Sequence, residues 1–333
     1  MPLIASVLDV SIIIVNWNSA AFLRKCLVSV YANTTKIKFE VIVVDNASGD
    51  GCGEMIRNEF PSVNFIQSNQ NLGFARANNL GFTHSSGRNI LFLNPDTEIL
   101  GPAIERMVHF LDQTPNAGIV GPKLLNSDHS IQTSCVRSFP TLLSEALDAE
   151  VLRQKFPRSR LWGTRLLFAE ASAPVAVDAV SGAALMIRCE AFEKAGLFTT
   201  AYFMYAEDTD LCFKVQQASW TNYFTPEAAI LHHGGQSTES RDDRNFADVV
   251  MRESRLRFFR NRMGALYAAG YKATTSVVAL IRLALLSGLW ILPGGPVRRD
   301  SARRSLGKWI RIFRWSIGME RWAGRLNQAG GLR

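Results

Sequence analysis

Carboxylates placed where buried strands run out carry the chemistry this chain could do. Arg88-Asn89-Ile90-Leu91-Phe92-Leu93-Asn94 has the continuous apolar run of a strand covered on both faces, and Pro95-Asp96-Thr97-Glu98 follows at once. Ligands of open α/β sheets gather at the carboxyl ends of the strands. Asp96 stands there, and hard oxygen ligands at that point suit Mg²⁺ or Mn²⁺ bridging a diphosphate. The plainer alternative is a turn with an Asp-capped helix start. Asp45 ends an earlier strand in the same way. A carboxylate there either accepts hydrogen bonds from a ring N–H or ribose hydroxyl of a nucleotide, or simply forms the turn Asn46-Ala47-Ser48-Gly49. Glu207-Asp208-Thr209-Asp210 places three acids in four residues at a helix start, after Tyr202-Phe203-Met204-Tyr205. First-turn acids complement the helix dipole, but three exceed what a cap needs, and one desolvated by those aromatics has the setting of a general base. His232-His233-Gly234-Gly235 follows a strand; the pair is either structural or supplies an imidazole to the metal at Asp96.

Two glycine sites add to this set. Asn71-Leu72-Gly73-Phe74-Ala75-Arg76 feeds a helix, where Gly73 permits close backbone approach, the helix N-terminus favours an anion and Arg76 could reach a phosphate. Gly182, set inside a strand pattern, marks either close approach of a ligand or a simple bulge. Gly49, Gly51 and Gly53 spell GxGxG after the second strand rather than GxGxxG after the first, which excludes a dinucleotide fingerprint.

The elements that must position these residues alternate as βαβ units over the first ~120 residues, the pattern of a parallel sheet. Strands are predicted at 11–16, 39–45, 63–66 and 88–94, with helices at 20–31, to about 60 after Gly51, and at 74–83. From 122 to 175 the pattern is irregular, broken by Ser, Pro and Arg clusters, as in a loop or lid that excludes water. A strand over 177–187, a short helix at 190–195, a longer one at 207–218, and strand pieces at 222–224 and 229–231 follow.

The chain of 333 residues is 47% hydrophobic and 20% charged, the composition of a globular protein. Its five cysteines are scattered without a CxxC pair, which argues against a disulfide framework or zinc site and fits a reducing compartment. The N-terminus lacks the basic start and the uninterrupted apolar run of a signal peptide. Ten Lys or Arg and two acids fall in 298–333, so the tail holds the whole formal charge of +8 and 27 bases balance 27 acids elsewhere. A general affinity of the body for nucleic acid has no support. Thr274–Leu292 is nearly all apolar and long enough to span a bilayer, yet its central Arg282 and Gly288 favour an interfacial or packed helix. Arg303–Leu326 has Leu306, Trp309, Ile310, Phe313 and Ile317 at helical spacing with Arg304, Lys308 and Arg311 largely opposite. Such a helix lies on an anionic membrane surface or docks on the protein itself.

The ordered motifs Ile14-Val15-Asn16-Trp17-Asn18, Val43-Val44-Asp45-Asn46-Ala47-Ser48, Asn71-Leu72-Gly73-Phe74-Ala75, Leu93-Asn94-Pro95-Asp96-Thr97, Ser181-Gly182-Ala183, Phe203 to Cys212 and His232 to Thr238 resemble the inverting family 2 glycosyltransferases, above all their rhamnosyltransferase branch. The resemblance spans about residues 10–240 and leaves the tail uncovered. It implies an α/β fold of the GT-A type, a Rossmann-like, mostly parallel sheet flanked by helices. Residues 1–245 would form that domain, with a nucleotide-sugar half (10–121) and an acceptor half (122–245), followed by a helical, basic, membrane-associating region (246–333). It implies a nucleoside-diphosphate sugar donor held by Asn16, Asp45, Asn71, Gly73, Arg76, Asn94 and Asp96, and Mg²⁺ or Mn²⁺ at Asp96 and His232. Asp208 matches the catalytic base, with Gly182, Glu207 and Asp210 around it on the acceptor side. The family's DxD motif has Asn94 in place of its first acid, which leaves a metal fewer charged ligands. The expected activity is single-step, inverting transfer of rhamnose or another hexose to a lipid-linked or growing cell-surface glycan, at the cytoplasmic face of a membrane. A sugar nucleotidyltransferase would want a Gly-rich basic loop after the first strand, and Asn16-Trp17-Asn18-Ser19 is not that. A non-catalytic nucleotide-sugar-binding or scaffold protein would have no need of Asp96, Asp208 and His232.

Overall fold

The computed structural model describes residues 8–147, scattered positions between 152 and 159, 173–234, 244–291 and 296–320. They form two compact units, one from Met1–Phe139, Arg153–Phe203 and Glu207–Ser240, the other from Pro140–Leu152, Met204–Ala206 and Arg241–Arg333.

The first unit begins with the predicted βαβ alternation: β1 (Leu8–Asn16), α1 (Ala20–Asn33), β2 (Phe39–Asp45), α2 (Cys52–Glu59), β3 (Asn64–Gln67), α3 (Gly73–Phe82) and β4 (Gly87–Leu93). The apolar β-branched runs of β1, β2 and β4 are buried, as strands covered on both faces must be. Next come β5 (Thr97–Leu100), α4 (Ala103–Gln113), β6 (Ala117–Leu125) and β7 (Val136–Arg137). Then follow β8 (Val175–Val177), β9 (Ala179–Val180), β10 (Ala184–Arg188), and β11 (Thr221–His232), which comes after two intervening helices given below. One sheet has the order β3-β2-β1-β4-β10-β6-β11-β5, with β8 paired to β11, and β7 pairs β9 in a second, two-stranded sheet. In the large sheet β1, β2, β3, β4, β6 and β11 run one way, and β5, β8 and β10 run against them. This is the expected mostly parallel α/β sheet, with α3 packed on β1 and β2 and α4 on β6 and β11.

Several sequence-based expectations are corrected. Thr97–Leu100 continues as a strand rather than a helix start, because it pairs antiparallel with β11, Thr97 opposite His232. Residues 122–125 belong to β6, not to an irregular segment; further along the candidate lid Val136–Arg137 is a strand and Leu142–Leu147 a helix, while 148–151 and 160–172 lie outside the described residues. The run 177–187 splits into three short strands around a turn at Ser181-Gly182-Ala183. The pieces at 222–224 and 229–231 are one strand, with a register shift between Thr225 and Ala229 that absorbs Pro226. Two helices complete this unit, α6 (Cys189–Lys194) and α7 (Glu207–Gln217). All five cysteines are free.

The second unit holds α5 (Leu142–Leu147), α8 (Arg244–Met263), α9 (Ala265–Ile291) and α10 (Pro296–Ser316). Ala265–Gly288 is long and apolar enough to cross a bilayer by length and composition alone. The last helix stops at Ser316, short of Leu326. Gly318 takes φ 86°, and the Gly318 and Met319 N–H groups turn back to the Trp315 and Arg314 carbonyls. Its packed side also differs from expectation: Ile312, Trp315 and Ser316 are buried, whereas Ile310 and Ile317 of the predicted apolar face are exposed. Residues 321–333, including Trp322, Arg321, Arg325 and Arg333, lie outside the described residues.

Candidate active site

The sheet register sets the candidate residues along one edge. Asn16 pairs with Asp45 at the carboxyl ends of β1 and β2, and Leu93 at the end of β4 pairs with Ala184 at the start of β10. His232 closes β11 opposite Thr97. The turn Asn94-Pro95-Asp96 is locked by Thr97, whose Oγ1 donates to the Asn94 carbonyl at 2.7 Å.

Asp96 is buried, and its Oδ1 lies 3.4 Å from His232 Nε2. Gln132 Oε1 accepts from His232 Nδ1 at 2.8 Å, while Gln132 Nε2 donates to Asn126 Oδ1 at 3.0 Å. That network fixes the amide and turns Nε2 toward Asp96. An imidazole nitrogen and a carboxylate oxygen at this distance form a donor set that fits Mg²⁺ or Mn²⁺. Asn94 Nδ2 approaches the same Nε2 at 3.4 Å. His233 is committed elsewhere: Nε2 contacts Glu98 Oε1 and Nδ1 contacts Ser127 Oγ, both at 2.8 Å. Of the two histidines, only His232 faces the acid. Gly234 is described, while the rest of that motif, 235–238, lies outside the described residues.

A second group forms around Asp208 in the first turn of α7. Its Oδ2 accepts the Gly182 N–H at 3.0 Å and has Arg137 Nη1 at 3.7 Å; its Oδ1 accepts from Thr209 N at 2.6 Å. A Cβ on Gly182 would stand 3.2 Å from Asp208 Cβ, so what approaches Gly182 is this carboxylate. Glu207 is buried beside it, its Oε2 without a hydrogen-bond partner among the described residues. Burial, then the charge of Asp208, push its carboxyl up to about 8. Asp210 is fully buried and accepts from Thr199 Oγ1 at 2.6 Å and Tyr202 Oη at 3.1 Å, which ties α7 to the preceding loop. The two groups meet through the backbone: Asn94 N–H donates to the Ala183 carbonyl at 2.9 Å, one residue from Gly182.

The nucleotide-side residues are more heavily used by the protein than their motifs suggest. Asp45 accepts from Asn16 Nδ2 (3.0 Å), Ser48 N (2.9 Å), Gln67 Nε2 (2.7 Å) and Cys52 Sγ (3.1 Å). Burial works to raise its pKa, but the hydrogen bonds from Ser48, Asn16 and Cys52 outweigh that and hold it below the ordinary carboxylate value. Asn16 Oδ1 is buried without a partner among the described residues. Ligand atoms of Asp45, Asp50 and Cys52 lie within 4.8 Å of one another. Burial and the Asp45 carboxylate push the Cys52 thiol up, so it serves Asp45 as a donor; a protonated thiol suits neither Mg²⁺ nor Mn²⁺. At α3, the Leu72, Gly73 and Phe74 N–H groups go to Asn46 Oδ1, Asn71 Oδ1 and the Phe203 carbonyl. Gly73 takes φ 74°, and the space a Cβ would need is filled by that carbonyl, 2.7 Å away, rather than by a ligand. Arg76 is exposed on α3. Gln132 and Arg137 carried no sequence signal, because both sit in a stretch without periodicity.

These contacts gather an acid–imidazole pair and a second buried carboxylate at the carboxyl edge of one sheet, which agrees with what the chain is similar to. The model of the family "Glycosyl transferase family 2" matches residues 11–165. The N-acetylglucosaminyl-diphospho-decaprenol L-rhamnosyltransferase of Mycobacterium tuberculosis is 30% identical over 243 residues, which cover 68% of this chain and 76% of that enzyme. Rhamnosyltransferase WbbL of Escherichia coli is 23% identical over 253 residues, 73% of this chain and 88% of WbbL. Mannosyltransferase PcManGT from Pyrobaculum calidifontis, solved with GDP-Man and Mn²⁺, matches at TM-score 0.57 and 16% identity over 95% of this chain and 89% of its own. GalNAc-T7, solved with UDP, GalNAc and Mn²⁺, matches at TM-score 0.53 and 15% identity over 77% of this chain; this chain spans 51% of that one, about half its length. At such identities the two structures speak for the GT-A fold alone. Fold, motif order and the relatives' identity agree: the chain belongs to glycosyl transferase family 2 and is a sugar-transferring enzyme.

Proposed function

We propose that the enzyme moves rhamnose or another hexose from a nucleoside-diphosphate donor to a hydroxyl of a lipid-linked or growing cell-surface glycan, inverting the anomeric carbon in one step. The observation that carries this reading is the backbone link from the Asp96–His232 pair, through Asn94 and Ala183, to Gly182 and Asp208. It puts two acidic groups near one another with different partners, one suited to the leaving group and one to the acceptor. Asp208, held by the Gly182 and Thr209 N–H groups and by Arg137, takes the proton of the acceptor hydroxyl as it attacks, a contribution of roughly 10²–10⁴ in rate. Asn16 positions Asp45 for the nucleotide, its Nδ2 donating to the Asp45 Oδ1 at 3.0 Å. Asp96 and His232 would hold Mg²⁺ or Mn²⁺, which supplies positive charge to the departing diphosphate.

The name of the Mycobacterium tuberculosis relative specifies a diphospho-decaprenol acceptor and L-rhamnose, which favours rhamnose and a lipid-linked acceptor here. The second unit supports a peripheral place at the cytoplasmic membrane face: exposed Ile310 shares α10 with exposed Arg303, Arg304 and Arg314, and exposed Ile317 follows at its end. The test is to screen nucleoside-diphosphate hexoses by thermal shift with Mn²⁺ and with EDTA, then to assay the stabilising donors for transfer to a prenyl-diphosphate sugar. Metal-dependent stabilisation with acceptor-dependent transfer is expected. Stabilisation by no donor, or donor breakdown indifferent to acceptor, overturns the reading.

A further inference from the structure

In the second unit, the 27-residue helix α9 leaves one side bare. Along it Leu266, Val277, Leu280, Ile281 and Leu285 are between 51% and 91% exposed, with exposed Ala273 and Ala284 among them. At 3.6 residues per turn they share an arc of roughly 140°, on which no Asp, Glu, Lys or Arg falls. The helix carries two charges, Lys272 and Arg282, and both project from the opposite side. Lys272 Nζ lies 5.8 Å from the Trp315 ring centroid and Arg282 Cζ 5.1 Å from that of Trp309, both rings of α10. Cation–π attraction holds them against the protein. On that side Ala268, Tyr271, Thr275 and Ala279 are buried, and Tyr271 meets Phe259 of α8 and Trp315 of α10. A helix laid on a core in water keeps its charged face outward. In α9 the outward face is aliphatic and the cations face the protein.

An exposed aliphatic row of this length marks contact with another protein or with a membrane. Charge selects between them. From Arg244 onward the chain holds 18 Lys or Arg and four acids, against 19 and 25 before it. Arg303, Arg304 and Arg314 of α10 are exposed. That excess draws the unit to anionic lipid headgroups, whereas two copies of it repel each other. Nor does α9 suit a crossing, although its 27 residues reach about 40 Å. Crossing would carry Arg282 and the arginines of α8 and α10 into hydrocarbon, and lying flat keeps them out of it.

We propose that α9 lies in the plane of an anionic bilayer surface, its Val277, Leu280, Ile281 and Leu285 side sunk into the acyl boundary. The inference rests on the peripheral placement proposed above and deepens it, naming α9 as the inserted element.

The experiment sediments the full-length protein with vesicles of phosphatidylglycerol and phosphatidylcholine, then washes the bound fraction with alkaline carbonate. Wild-type protein should bind, and carbonate should release it. Leu280→Asp or Leu285→Asp should each weaken binding by about tenfold or more. Both variants should keep the wild-type melting temperature and its rise with nucleoside-diphosphate donor and Mn²⁺. Val277→Ser combined with Ile281→Ser should weaken binding by a similar factor and serves if the Asp variants misfold. Wild-type binding that these variants leave undiminished would overturn the α9 contact while the peripheral placement stands. Failure of the wild-type protein to bind would overturn that placement as well. Resistance to carbonate would make α9 a span and overturn the in-plane helix. A lipid-free dimer that Leu280→Asp turns into a monomer, by light scattering, would give the row to a second copy and overturn the lipid.

Discussion

Glu207 sits one residue before the proposed base, yet its own carboxyl is unsuited to that work. Burial first, then the Asp208 charge, raise it to about 8, with Arg137 lowering it and Asp210 raising it by smaller amounts. It is protonated at neutral pH. Between 4.5 and about 8 the folded chain keeps a proton that the unfolded chain has released. Stability from this residue is thus complete below 4.5 and declines as pH rises through about 8. Glu207→Gln removes that titration. Its melting temperature relative to wild type should climb from about pH 5 to about pH 9, and a difference that stays flat would show the carboxyl is not held protonated. At the other end of the site, Gln132→Leu removes the acceptor that sets the His232 ring. Loss of such a partner costs about 10–100-fold in metal affinity or activity. The Mn²⁺ concentration at half-maximal turnover should rise by that order, and an unchanged value would show that Gln132 does not orient the ring.

The elements explain which parts of the fold the sequence made legible. β1, β2 and β4 are continuous apolar runs with turn residues at their ends, so their place and the edge residues Asn16, Asp45 and Asp96 could be read directly. β6 was hidden by Gly118, Gly121 and Pro122, which break the apolar pattern. Packing demands those glycines: a Cβ at Gly121 would stand 2.6 Å from Val180 Cβ, and one at Gly118 would stand 2.7 Å from Trp220 Cβ. With β6 obscured, α4 before it had no frame, and β7 with Arg137 had no partner to suggest it. β5 escaped because its pairing with β11 joins residues more than a hundred positions apart. The motif around Gly73 was legible as a tight approach, but not what approaches. Gly73→Ala should destabilise by more than about 1 kcal/mol, since φ is positive and the Phe203 carbonyl fills the space. Chemical denaturation measures this, and a loss below about 0.5 kcal/mol would mean the carbonyl shifts freely.

At the scale of the whole chain, charge and chemistry are divided. The basic excess falls in 298–333, whereas the carboxylates and His232 of the proposed reaction belong to the first unit. The second unit also draws in Pro140–Leu152 and Met204–Ala206. Leu142 N–H donates to Tyr267 Oη at 3.2 Å and Glu145 pairs with Arg255; such long-range partners leave no trace in local periodicity. Motif order nonetheless carried the family, because each motif ends an element at the same sheet edge. The central claim is a division of labour between Asp208, which takes the acceptor proton, and the Asp96–His232 side, which holds the donor. Asp208→Asn tests it most directly, with turnover and donor affinity measured on one preparation. Turnover should fall by about 10²–10⁴-fold while donor affinity stays within about twofold of wild type. Turnover near the wild-type rate would contradict the claim outright.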